Sequence, residues 1–207
     1  MKKIMLTILL TLTIWYAGTL NAKSLIINGE INNALALQTI SLILYYDTVP
    51  EESVITIYID SCGGDMAAAY MIADTMKACK KPVETIVMGK AYSAAVMIVS
   101  IAGTKGLRYG YEHAKYLIHE PYCVLPEKYI LHSGDAKRFI EDMDKTKLEL
   151  IEYIKQNTNI KESDIIKWVN GEYIFNSKTA IKLGVIDQIV NYQNNPNRKY
   201  DGKNKGE

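Results

Sequence analysis

The run V-I-T-I-Y-I-D (54–60) ends in a small-residue turn, S-C-G-G-D, and a stretch with helical spacing follows at once. β-branched and apolar residues dominate the run, so it reads as a strand buried on both faces. The pattern then repeats. V-E-T-I-V-M-G (83–89) leads into G-K-A-Y-S-A-A and a further apolar helical stretch. Strand, turn and helix in repeated order predict an α/β fold with a largely parallel sheet. In such folds, sites form where strand ends meet helix N-termini.

The rest of the chain fits that scheme. Residues 24–31 read as a short strand ending in a turn. Residues 32–46 have helical spacing, with Asn32 or Asn33 as cap. Residues 66–79 form a helix that K-K-P breaks. Ser93 opens a helix running to about Ala102, and G-T-K-G-L-R is a turn. Y-L-I-H (116–119) is a strand, 134–157 one long amphipathic helix, and 161–169 a short helix. S-K-T-A-I-K-L-G-V-I-D (177–187) reads as helix, glycine stop and strand. The apolar spacing in 32–46 and 134–157 predicts self-association. Residues 192–207 are too polar to bury much and read as a disordered tail.

Composition narrows the functions. A chain of 207 residues suffices for one domain with a real core. The net charge of +1 gives no reason to expect a nucleic-acid partner. Three cysteines, Cys62, Cys79 and Cys123, without close spacing argue against a disulfide framework and a zinc site. Cys79 reads as core packing. At the N-terminus, M-K-K precedes an uncharged segment, residues 4–22, that ends near Ala22. Residues 1–22 therefore read as a secretory signal or a membrane anchor, with membrane contact through 4–22, or else as a buried N-terminal helix at an oligomer interface. The folded domain is expected over 23–191.

Two strand ends carry the candidate chemistry. In D-S-C-G-G-D the paired glycines let backbone approach a ligand closely and free their N–H groups. In G-K-A-Y-S-A-A, Ser93 is either a helix cap or a nucleophile near unpaired N–H groups. A nucleophilic serine needs a base. The chain has His113, His119 and His132, and only His119 ends a strand.

At these residues the sequence resembles the proteolytic subunit of caseinolytic protease, ClpP, from about Leu25 to Val190. I-Y-I-D-S-C-G-G-D-M-A-A-A-Y is similar to the family's Y-I-N-S-P-G-G strand, turn and helix. V-M-G-K-A-Y-S-A-A resembles its M-G-Q-A-A-S-M-G segment, and A-G-T-K-G-L-R its A-G-x-K-G-x-R turn. Y-L-I-H-E-P resembles its M-I-H-Q-P segment, and S-K-T-A-I-K-L-G-V-I-D its closing S-x-x-E-A-x-x-Y-G-L-I-D. The resemblance implies a ClpP/crotonase-like fold with a protruding long helix. It implies a cofactor-free, metal-free serine endopeptidase with Ser93 as nucleophile, His119 as base and Glu172 at the family's aspartate position. The N–H groups of Gly64 and Ala94 would then hold the oxyanion. Peptide or unfolded-protein substrates, a homo-oligomeric ring, an unfoldase ATPase partner and a cytoplasmic location are implied as well.

Several positions depart from the family. The segment after His119, Y-C-V-L-P-E-K-Y-I-L-H-S-G-D, lacks the paired glycines that bind substrate as an added strand. Gly171 stands where an arginine often joins two rings. The N-terminal loops that meet the ATPase have no counterpart. One residue is inserted between Ser93 and Gly103. Cys62 replaces a proline and is a weak rival nucleophile, without a positioned base. Asp164 is the fallback acid. The alternatives are a non-catalytic ring subunit, a membrane-associated Ser-Lys peptidase with Lys90 or Lys115 as base, and, remotely, crotonase-type acyl-CoA chemistry.

Overall fold

The computed structural model describes residues 24–123 and 132–190. The expected signal or anchor at 1–22, the polar tail at 192–207 and most of the altered segment after His119 lie outside them. Five strands lie side by side in the order β1 (Ser24–Ile31), β2 (Ile55–Gly64), β3 (Val83–Tyr92), β4 (Arg108–Gly110) and β7 (Gln188–Ile189). Every neighbouring pair among these five is parallel. β5 (Lys115–His119) joins β3 in parallel, and β6 (Glu172–Asn176) joins β5 antiparallel. This is the mostly parallel α/β sheet that the strand–turn–helix order predicts.

β3 forks the sheet. Its residues Thr85, Ile86 and Val87 pair with β4, whereas Lys90, Ala91 and Tyr92 pair with β5. The lower half of the strand therefore belongs to the core ladder. The upper half carries the arm made by β5 and β6.

Burial of β2 is one-sided. Ile55, Ile57 and Ile59 are fully buried, but Thr56, Tyr58 and Asp60 on the other face remain partly exposed. The expectation of a strand covered on both faces is met on one. The S-C-G-G stretch is not the tight turn expected of it either. It continues β2, because Glu30 and Ile31 of β1 pair with Gly63 and Gly64 across a bulge. The chain turns only at Asp65.

Asp65 then caps α2 (Met66–Ala78) by accepting the Ala68 N–H at 2.7 Å. Asn32 does the same for α1 (Asn33–Thr48), accepting the Leu35 N–H at 3.0 Å. α2 buries Ala68, Ala69, Ile72, Ala73 and Met76 in the hydrophobic core. α1 leaves Leu37, Leu44 and Tyr45 bare, each more than half exposed. In the long helix α3 (Ser133–Asn157), the buried residues are Leu150, Ile151 and Ile154, all near its C-terminus. Ile140 and Leu148 on the same helix face solvent. Two short helices, α4 (Glu162–Trp168) and α5 (Ser177–Lys182), flank β6.

Two of the sequence motifs lock to each other. Arg108, from A-G-T-K-G-L-R, is 4% exposed and grips Asp187, from G-V-I-D. Its Nε and one terminal nitrogen reach the two carboxylate oxygens at 3.0 and 2.6 Å. The other terminal nitrogen donates to the Asn157 carbonyl at 2.8 Å, tying the end of α3 to the sheet. The G-T-K-G-L-R stretch, expected to be turn alone, thus ends in the short strand β4.

Candidate active site

Ser93 follows the last residue of β3. Its N–H donates to the Leu117 carbonyl at 2.8 Å, extending the β3–β5 ladder by one rung. That bond holds Ser93 against β5, two residues ahead of His119. Its backbone is left-handed, with φ of 54°, and among the described residues no other non-glycine has positive φ. Such a conformation costs about 1–2 kcal/mol for an L-residue and persists only where its surroundings enforce it. It also rules out the helix-cap reading, since a cap has extended backbone and the helical segment after Ser93 has no side-chain cap.

The enforcement comes from Gly63. A β-carbon there would lie 2.6 Å from the Tyr92 carbonyl oxygen, 2.7 Å from the Ser93 β-carbon and 3.0 Å from the Ala94 nitrogen. The end of β2 and the Ser93 bend are therefore packed backbone to backbone. The N–H of Gly63 is already used, donating to Ser61 Oγ at 3.0 Å. Ser61 in turn donates to the Gly29 carbonyl at 2.6 Å. Gly64 has φ of 145°, and a side chain on it would collide with the Ile31 backbone at 2.2 Å. Of the sequence-predicted oxyanion donors, Ala94 thus lies at the Gly63–Ser93 contact, and Gly64 is the next residue along β2. Gly63, which packs against the bend, reads in the sequence only as one of the paired glycines with free N–H groups, and its N–H is bonded.

The segment after Ser93 is not the expected α-helix. Ala95–Val99 is one turn of π-helix, in which the Ser100 N–H donates to the Ala95 carbonyl, and Ser100–Ala102 is a 3-10 turn. A π-turn holds one residue more than an α-turn. The whole π-turn is buried. Thr85 Oγ donates to the Ser100 carbonyl at 3.1 Å, tying the end of the π-turn to β3.

His119 and Glu172 are direct partners in the β5–β6 ladder. His119 is partly buried, and Glu172 is exposed. The imidazole Nδ1 lies 2.7 Å from the Glu120 carbonyl oxygen, and the ring stands 5.7 Å from that of Tyr122. Among the described residues, no hydrogen bond joins His119 to Ser93 or to Glu172. The Glu120 N–H donates to the Gly171 carbonyl at 3.0 Å, closing the end of the arm.

The other candidates sit elsewhere. Asp164 is in the first turn of α4. His113 and Lys115 line a surface cleft with Glu112, Asn176 and Lys178, at the end of β5 away from His119. Lys90 is held above the ordinary lysine value, first by a hydrogen bond with the Cys62 thiol. A lysine base needs the opposite shift. Cys62, Cys79 and Cys123 are free thiols. Cys62 is exposed beside Gly63, and Cys79 packs against the core, where burial pushes its thiol up.

The Clp protease family model matches residues 12–193, taking in the second half of the apolar N-terminal segment. That overlap does not support a signal reading of residues 12–22. The chain is 31% identical over 175 residues to the ATP-dependent Clp protease proteolytic subunit of Streptococcus mutans, covering 84% of this chain and 88% of that one. It is 30% identical over 175 residues to the subunit of the same name from Lactococcus lactis, covering 84% and 86%. Proteolytic subunit 2 of Treponema denticola is 30% identical over 171 residues, covering 83% of each chain.

Proposed function

The chain belongs to the Clp protease family and is a ClpP-type peptidase, and from that premise we propose that it is a serine endopeptidase. Ser93 Oγ attacks the scissile carbonyl carbon while His119 Nε2 takes the hydroxyl proton. The Gly64 and Ala94 N–H groups receive the developing oxyanion. His119 then returns the proton to the leaving amine, and water hydrolyses the acyl-enzyme by the same steps. Glu172, opposite His119 on the paired strand, is the acid that stabilises the imidazolium. The observation that carries this reading is the left-handed backbone of Ser93, packed against Gly63 and hydrogen-bonded two residues ahead of His119.

Peptides or unfolded protein are the substrates, in line with the relatives' names. The relatives are called ATP-dependent, which supports an ATPase partner that feeds the subunit. The bare Leu37, Leu44 and Tyr45 of α1 and Ile140 and Leu148 of α3 support assembly into a ring. A cytoplasmic location goes with the family resemblance.

The test is covalent labelling with a fluorophosphonate probe, read by intact mass and peptide mapping. A single adduct on Ser93, lost in Ser93→Ala and His119→Ala, is the expected result. Absence of any adduct in the assembled protein would replace this reading with that of a non-catalytic ring subunit.

A further inference from the structure

We propose that Lys147 is a positioning residue for the base His119; the inference rests on the peptidase reading above. Lys147 lies on α3, and its side chain is 22% exposed. The ammonium reaches Glu120 Oε1 at 2.7 Å and Asn170 Oδ1 at 2.7 Å. Glu120 directly follows His119, and Asn170 stands two residues before Glu172. One lysine thus staples the long helix to the residues that flank both strands of the arm, at the end that holds the proposed base and acid.

The chemistry follows from the Glu120 carbonyl. A carbonyl oxygen only accepts, so the His119 Nδ1 that meets it at 2.7 Å carries the proton. Nε2 is then the bare lone pair, which is the tautomer a general base needs. In a Ser-His-acid triad the acid performs that task. Here the Glu120 carbonyl sets the tautomer, which leaves Glu172 to act on the imidazolium through its charge, and Lys147 fixes that carbonyl through the Glu120 side chain. Because Glu120 is 53% exposed, loss of the ion pair costs little stability. What is lost is control of the imidazole.

The experiment measures the rate of fluorophosphonate labelling of Ser93, and kcat and KM for peptide hydrolysis. The proteins are wild type, Lys147→Met and Lys147→Arg, each with its Tm. Lys147→Met is expected to label about tenfold more slowly, with kcat reduced rather than KM raised. Its Tm is close to wild type, and Lys147→Arg recovers most of the rate. Equal rates for wild type and Lys147→Met would refute the clamp and leave the peptidase reading standing. A slow Lys147→Met with a lowered Tm, or with no rescue by arginine, would make Lys147 merely structural and overturn the proposal. A wild type that never labels would bring down the peptidase reading, and the clamp with it.

Discussion

Gly63 and Ser93 touch so closely that a β-carbon added to the glycine would stand 2.7 Å from that of the serine. Real β-carbons do not approach so near, and Gly63 also has φ of 89°. Gly63→Ala must therefore displace the Ser93 bend. Displacements of about 1 Å at a reacting group cost about 100-fold in rate. We expect that loss in kcat/KM for peptide cleavage, alongside a lowered Tm. Full activity in Gly63→Ala would show that the packing does not set the nucleophile.

Ser93 itself stores strain in its left-handed backbone. Glycine adopts that conformation without penalty, and alanine does not. Ser93→Gly and Ser93→Ala should both be inactive, yet the glycine variant should be the more stable by about 1 kcal/mol. Thermal or urea denaturation of the pair decides this. An alanine variant more stable than the glycine variant would mean that the left-handed bend relaxes once the hydroxyl is gone.

Asp187 gives the fold an acid limit. Burial by itself would raise its carboxyl, but the hydrogen bonds from Arg108 and the Gly106 N–H outweigh burial and hold it below the ordinary carboxylate value. A group depressed in the folded state contributes stability that is present above its unfolded pKa and lost as pH falls through its folded one. The Arg108–Asp187 contribution is thus full at neutral pH and disappears below about pH 4. Asp187→Asn should lower Tm at pH 7 and flatten the dependence of Tm on pH in the acid range. A variant with the wild-type acid slope would assign acid sensitivity to another carboxylate.

The π-turn can be tested by deletion. Removing Val99 should let the Ser100 segment close with ordinary α-helical bonds, since the surplus residue is gone. We expect a cooperatively unfolding protein. Removing Ala69 from α2 should instead rotate the rest of that helix out of register and abolish folding. Loss of folding in both deletions would mean that the π-turn is an integral part of the core packing.

What the sequence disclosed and what it hid divide along local and non-local causes. α2 could be read to within a residue because Asp65 caps it and K-K-P stops it, both signals within its own neighbourhood. β6 was invisible. Its stretch E-Y-I-F-N has one buried residue, Phe175, and it is a strand because β5 lies beside it. S-C-G-G looked like a turn because glycines usually make one, but pairing with β1 keeps it extended. The stretch after Ser93 reads as ordinary helix, and nothing in its spacing says that a π-turn would form there. Ser93 and His119 stood out by residue type and position. Lys147 did not, because on its own helix it is one cation in a charged face, and its two partners are 27 and 23 residues away.

The fork in β3 separates what must stay from what can leave. The ladder at Thr85, Ile86 and Val87 anchors the body of the sheet, while the arm hangs from Lys90, Ala91 and Tyr92. Peeling the arm away breaks the short β3–β5 ladder, the Ser93 rung and the Lys147 staple, but leaves the pairings of β1 through β4 whole. Local opening of that kind lies below global unfolding in free energy. Backbone amides of Leu117 and Glu120 should therefore exchange with solvent through a smaller fluctuation than those of Ile57 and Val87. The fold thus hangs the proposed base and acid, His119 and Glu172, from a unit that can open while the body of the sheet stays paired.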